Sequence, residues 1–234
     1  MTREELVQKV KVKLEELSPF DYDKTDMIAL EGIVPNDKQL EINPIYSYID
    51  ASLNDSCNEV LNSIPLNLIT PREYNGVPDI IAIKRTSYYK AVFNLPKDYL
   101  RLYSVCLHDW CRQVMKVASY EMEQGVFSGN IYTMGKPSRP MAIEDYGMID
   151  GNQIKQLHCY STKRISNESQ LRYVPRFETE DFGGDAENNC EKLSNLYSLM
   201  TAMNVCLIYG NKNGYELLSA EYQLMLKSND YQWI

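Results

Sequence analysis

Residues 80–117 read IIAIKRTSYYKAVFNLPKDYLRLYSVCLHDWCRQVMKV, and here the spacing of apolar residues changes from every third or fourth position to every second. The β-branched and aromatic content of IIAIKR (80–85), SYYKAVFNLP (87–96) and YLRLYSVCLHDWCRQVMKV (99–117) predicts strands broken by short turns. Further on, MAIEDY (141–146) and QIKQLHCYS (153–161) flank Gly147 to Asn152 as a hairpin, and LRYVPRF (171–177) supplies one more extended segment.

On both sides of this region the period is helical. Thr2-Arg3-Glu4-Glu5 is a capping box, and Leu6, Val7, Val10, Leu14 and Leu17 follow on one face until Ser18-Pro19 stops the helix. Asn43-Pro44 starts a second helix whose Ile45, Ile49, Leu53, Cys57, Val60 and Ile64 recur at intervals of three or four, ending near Pro65. Between the two, Asp26 to Val34 reads as a short helix.

After Asp185, a cap, Leu193, Leu196, Tyr197, Met200, Met203, Leu207 and Ile208 return to helical spacing. GNKNG (210–214) interrupts it, and a last helix carries Tyr215, Leu218, Tyr222 and Met225 on one face, so the final two helices are read as an antiparallel pair. Each helix shows one apolar stripe, and a stripe must be covered. The expected fold is therefore α+β, a helical bundle of residues 1–78 and 179–234 with an inserted, mainly antiparallel β domain, 79–178. A flexible loop, 124–140, is expected within the insertion.

The chain has 234 residues, 24 Lys plus Arg and 32 Asp plus Glu, for a net charge of -8, which argues against duplex DNA as a static ligand. With 44% hydrophobic residues and no run near the roughly 18 that a membrane helix requires, a folded, soluble chain made in a cytoplasm is expected, with no membrane partner. Six scattered cysteines favour reduced thiols. Tyr occurs 18 times against five Phe and two Trp. Its ring and hydroxyl suit surfaces buried against partners, although Tyr also fills strands.

No motif makes a case for catalysis. Gly129 to Lys136 has five residues between its glycines and Pro137 after the Lys, so it lacks the spacing and the hydroxyl of a P-loop. Cys106, His108 and Cys111 could suggest zinc, but on one strand Cys106 and His108 share a face that Cys111 does not, and no further ligand pair completes the set; a core Cys and a half-buried His are expected. His158 and Cys159 fall on opposite faces of a strand, against a nucleophile pair.

Glu178, Glu180, Asp181, Asp185, Glu187 and Glu191 crowd residues 178–191 without a Lys or Arg. They suit a solvated helix entry, where acids favour the positive end. A peptidoglycan hydrolase or nuclease using this cluster is the alternative, and a binding module absent from the mature assembly is a third reading. Lys84, Arg85, Lys90, Arg101, Lys163, Arg164, Arg172 and Arg176 form a dispersed basic set in the β region that could meet an acidic neighbour. Tyr231, Trp233 and Ile234 make the end of the chain apolar, suited to docking on its own core or on a neighbour.

The segments LPKDYLRLYSV (95–105), DWCRQV (109–114), RPMAIE (139–144) and LRYVPRF (171–177) resemble the head-tail connector proteins of short-tailed bacteriophages, most of all the neck ring proteins of crAss-like phages. In that family a Leu-Pro-x-Asp-aromatic-Leu-Arg phrase leads into a strand, a Trp follows, and the β region sits between N- and C-terminal helices. The resemblance implies a structural virion protein with no catalytic residue, cofactor or metal. It implies a homo-oligomeric ring, expected to be twelvefold, that extends the DNA channel below the portal and touches the portal, neighbouring rings or tail proteins.

Genomic DNA would pass through such a ring without specific binding, because a negatively lined channel repels phosphates. Under this reading Glu178, Glu180, Asp181 and Asp185 are expected to line the channel. Arg172, Arg176, Tyr231, Trp233 and Ile234 are expected at interfaces, since head-to-tail rings need two different complementary patches.

Overall fold

The computed structural model describes residues 2–16, 44–84, 86–117, 135–163, 169–178 and 185–230. Within them the element order is α1 (Arg3–Glu16), α2 (Pro44–Ser63), a 3-10 turn (Leu66–Leu68), β1 (Arg72–Glu73), β2 (Asp79–Ala82), β3 (Tyr89–Asn94), β4 (Tyr99–Leu107), β5 (Met141–Ile149), β6 (Asn152–Thr162), β7 (Ser169–Pro175), α3 (Asp185–Ile208) and α4 (Lys212–Asp230). The fold is α+β, with terminal helices around a central antiparallel β region. It divides into two compact units, Met1–Leu68 with Phe177–Ile234, and Ile69–Arg176. The β unit thus begins ahead of Asp79, because the two residues of β1 already pair with β7, a ladder too short to leave an alternating pattern.

In the helical unit the capping box at Thr2 forms in both directions: Thr2 N–H donates to Glu5 Oε2 at 2.9 Å, and Glu5 N–H donates to Thr2 Oγ1 at 3.3 Å. Leu6, Val10 and Leu14 of α1 and Ile49, Leu53, Cys57, Val60 and Ile64 of α2 are buried as their spacing predicts. Helix α3 differs from its reading as a single stripe. It packs against α1, α2 and α4 at once, so Ser194, Ser198 and Thr201 are buried along with Leu193, Leu196, Tyr197, Leu199, Met200 and Met203.

The small hydroxyl residues of α3 admit close neighbours and find local acceptors. Ser198 Oγ donates to Asn195 O at 2.9 Å and Thr201 Oγ1 to Tyr197 O at 2.8 Å. Polar ties join the helices: Asn204 to Ser56 at 2.8 Å, Lys13 to Glu221 at 2.8 Å, and Tyr222 to Ser63 at 3.3 Å. The connection at 209–211 is shorter than the predicted break. Gly210, at φ 71°, lets Asn211 N–H reach Cys206 O at 2.8 Å and close α3, while Asn211 Oδ1 accepts from Gly214 N–H at 2.9 Å and caps α4.

The β unit is a sandwich of a three-stranded sheet, β1-β7-β4, and a four-stranded sheet, β2-β3-β6-β5, antiparallel throughout. Ala91, Phe93, Ala142, Leu157 and Cys159 from the larger sheet meet Leu102, Val105, Leu107, Leu171 and Tyr173 from the smaller one, joined by Leu95 and Trp110 from the connecting segments. Ile143 and Tyr160 form a second small cluster on the opposite face of the larger sheet.

Two strand readings need correction. The long segment 99–117 is a strand only to Leu107; His108 and Asp109 turn, and Val114 returns to bridge Val105. His108 is therefore exposed in a turn, neither half-buried nor sharing a strand face with Cys106. The β5–β6 hairpin runs on through Gly147 to Ile149 and turns only at Asp150-Gly151, where φ is 50° and 80°, a two-residue turn of the Asp-Gly type. Of the expected flexible loop, 124–134 lies outside the described residues, and 135–140 is a tight turn closed by reciprocal Lys136–Arg139 backbone bonds at 3.1 and 2.8 Å. The expected helix at 26–34 also lies outside the described residues.

Candidate interaction surface

The segments that carry the resemblance occupy the skeleton of the sandwich. Leu95 enters the core, Pro96 O accepts from Tyr99 N–H at 3.0 Å to make a turn, and Asp98 then becomes a hub. Its carboxylate accepts from Arg72 Nη1 at 2.6 Å and from the Tyr173 hydroxyl at 3.1 and 3.2 Å, while its carbonyl accepts from Arg176 N–H. Tyr99 donates to Glu144 Oε1 at 2.5 Å, and Lys155 Nζ meets Glu144 Oε2 at 2.5 Å while lying 4.8 Å from the Tyr99 ring centre. Burial raises the Tyr99 hydroxyl pKa, and Glu144 adds to the effect; burial and then Asp98 do the same to Tyr173. Both phenols stay protonated as donors, so the two carboxylates act as clasps between strands.

The thiols and imidazoles make no reactive pair. Cys159 is fully buried, which pushes its pKa up and keeps it a thiol. His158 is on the other face, with its ring 3.2 Å from Gln156 Oε1 and 3.9 Å from Asp145 Oδ2. Burial, aided by Lys90, lowers its pKa against the opposing pull of Asp145. Among the described residues no group of three His, Cys, Asp or Glu is placed to hold a metal ion.

The expected contact residues are scattered over the chain. Arg172 lies in β7 directly opposite Glu73 of β1, with Nε 3.7 Å from Glu73 Oε1. Both side chains are solvated, so the pair contributes little. Arg176 is exposed just past β7. Glu178 is exposed, following Phe177, whose backbone is held by both amide atoms of Asn58 at 2.7 and 3.1 Å. Asp185 opens α3. Glu180, Asp181, Tyr231, Trp233 and Ile234 lie outside the described residues.

A more prominent surface escaped the sequence reading. Strand β3 stops pairing with β6 at Asn94–Gln156, after which Leu95 N–H donates once more to Lys155 O at 3.0 Å. Beyond that point β5 and β6 continue, among the described residues, as a two-stranded ribbon. Ala142, Glu144, Tyr146 and Met148 alternate onto one face of β5: Ala142 is core, whereas Tyr146 is 63% and Met148 70% exposed. The core face of the sheet thus runs out into an uncovered apolar tip. The helical unit has its own exposed apolar residues, with Leu217 and Leu224 two turns apart on the outside of α4. The signal for the ribbon was present in Asp150-Gly151 flanked by alternating apolar residues. No protein-family model matches the chain, and a search of curated proteins finds no relative.

Proposed function

We propose that this chain is a structural subunit of an oligomeric ring, of the head-tail connector kind, that joins a phage capsid to its tail and leaves a channel for DNA. The observation that carries the reading is the ribbon, on which Tyr146 and Met148 stand uncovered on a face that is core at Ala142, four residues before Tyr146. Exposed aromatic and thioether side chains continuous with a core face are the composition of interface centres. The order of helices, β region and helices agrees with what the resemblance implies, and the resembling residues act as core and clasps, a role that suits a building block.

In such a ring Glu178 and Asp185, with Glu180 and Asp181, are the acids assigned to the channel, and Arg172 and Arg176 to an acidic neighbour. Electron microscopy of the purified protein, alone or with a portal, tests the reading: closed rings are expected. A protein that stays solitary at high concentration and is missing from virions overturns it. The double change Arg172→Glu with Arg176→Glu is expected to weaken assembly, read by analytical ultracentrifugation, and unchanged ring formation removes those two residues from the interface.

A further inference from the structure

The larger sheet ends in two strands whose outer edges pair with no other strand among the described residues, β2 on one side and β5 on the other. Open edges present a row of unpaired donors and acceptors and are a ready template for another chain. Four antiparallel strands alternate in direction, so β2 and β5 run opposite ways. A second copy displaced sideways in the plane of the sheet, with little change of orientation, therefore lays its β2 antiparallel to the β5 of the first, the pairing that forms the more stable ladder.

The backbone groups of the two edges also match. Ile83 N–H donates to Tyr88 O at 3.0 Å across the β2–β3 ladder, so Ile81 and Asp79 likewise aim their amides at β3, and Ile80 and Ala82 aim theirs outward. On β5 the two-residue turn makes Ile149 and Asn152 a mutually bonded pair, which aims Ile149, Gly147 and Asp145 at β6 and leaves Glu144, Tyr146 and Met148 aimed outward, where Tyr146 N–H meets only the solvated carboxylate of Asp145, Oδ1 at 2.7 Å, which an incoming strand would displace. The outward residues on both edges carry side chains on the same face, the one that forms the sandwich core.

Setting Ala82 of one copy opposite Tyr146 of the next places Ile80 opposite Met148 and Lys84 opposite Glu144. Small meets large and apolar meets apolar, while Lys84 comes beside Glu144, whose carboxylate also holds Tyr99 and Lys155 of its own chain. Asp79, Ile81 and Ala82 are exposed, as are Tyr146 and Met148, so the strands are open to each other.

We infer that copies of this chain associate head to tail through strand addition, the β2 edge of one copy completing the β5 edge of the next along the uncovered Tyr146–Met148 ribbon. The inference rests on the reading of the chain as a self-assembling subunit and names the interface that reading lacks. Because each copy keeps one free edge of each kind, addition can continue from copy to copy, and it ends in a ring where the small rotation between neighbours closes.

Disulfide trapping tests it on the full chain. Cα atoms of a mutually bonded antiparallel pair lie about 5.5 Å apart, within disulfide reach. In a background carrying Cys111→Ser, which removes an exposed thiol, Ala82→Cys and Tyr146→Cys, combined in one chain and mildly oxidised, are expected to give a covalent ladder on a denaturing gel. Either single variant alone should give no ladder, and an equal mixture of the two singles should give covalent dimers. Ala82→Pro removes an outward amide without breaking the β2–β3 ladder, and should weaken self-association about tenfold, the loss of one hydrogen bond.

Lys84→Glu, in the turn after β2, is the second variant should the proline impair folding, and it should weaken association in the same direction. Oligomers that form with no trapped species, and that survive Ala82→Pro and Lys84→Glu unchanged, overturn the edge assignment and leave the subunit reading in place. A wild-type chain that is monomeric at the highest attainable concentration ends both.

Discussion

The helical unit and the β unit solve the same problem with different materials. In the first, one nearly all-round buried helix, α3, serves three partners, and the polar ties between helices are single contacts, such as Asn204 to the fully buried Ser56 and the half-exposed Lys13–Glu221. In the second, the apolar layer between the sheets is bounded by two carboxylate clasps, Asp98 with Arg72 and Tyr173, and Glu144 with Tyr99 and Lys155. A bundle can seal itself with long apolar side chains on every turn, whereas a small sandwich has open ends, and tyrosine closes them with an apolar ring and a donating hydroxyl.

The largest break in this contrast should come from truncating each core. Phe93→Ala in the sandwich is expected to cost about 3–5 kcal/mol and Leu199→Ala in α3 about 2–5 kcal/mol. Denaturant titration followed by amide hydrogen exchange shows where each loss falls. Protection lost mainly in the strands for Phe93→Ala, and mainly in the helices for Leu199→Ala, supports two separately stabilised units. Equal loss everywhere shows that they unfold as one.

Next in size is the clasp: Asp98→Ala removes the carboxylate that accepts from both Arg72 and the Tyr173 hydroxyl and should cost about 1–3 kcal/mol in a urea melt, where a merely solvated carboxylate would cost far less. Thr2→Ala, which removes only the cap of α1, should cost about 1 kcal/mol.

The smallest effect is one of pH. His158 has its pKa lowered from 6.5 by burial, so the folded protein resists a proton that the unfolded chain accepts. Stability is complete above about pH 6.5 and falls as pH drops from there toward the folded-state value. A His158→Gln variant should lack that slope in thermal melts between pH 7 and 5, and a retained slope would assign it to other groups.

The architecture was legible because it rests on local periods. Capping boxes, apolar stripes and alternation each depend on neighbours a few residues apart, and Thr2–Glu5, Ile49–Ile64 and Leu171–Tyr173 behave accordingly. What escaped depends on distant pairings. Nothing near Tyr99 announces Glu144, 45 positions away. The end of β4 at Leu107 is set by the return of Val114, which alternation cannot foresee. The interface candidates fared least visibly, since exposure of Tyr146 and Met148 follows from where β3 stops pairing, and from no property of those two residues. Arg172 and Arg176 stood out for their charge, yet Arg172 already faces Glu73 on its own chain.

The Asn211 junction has a bearing on how this chain can vary. One residue both terminates α3 and initiates α4, leaving no slack between them. Each residue inserted there would rotate α4 by about 100°, swinging Leu218 and Tyr222 out of the bundle. Natural length variants and engineered tags should therefore be excluded from this corner.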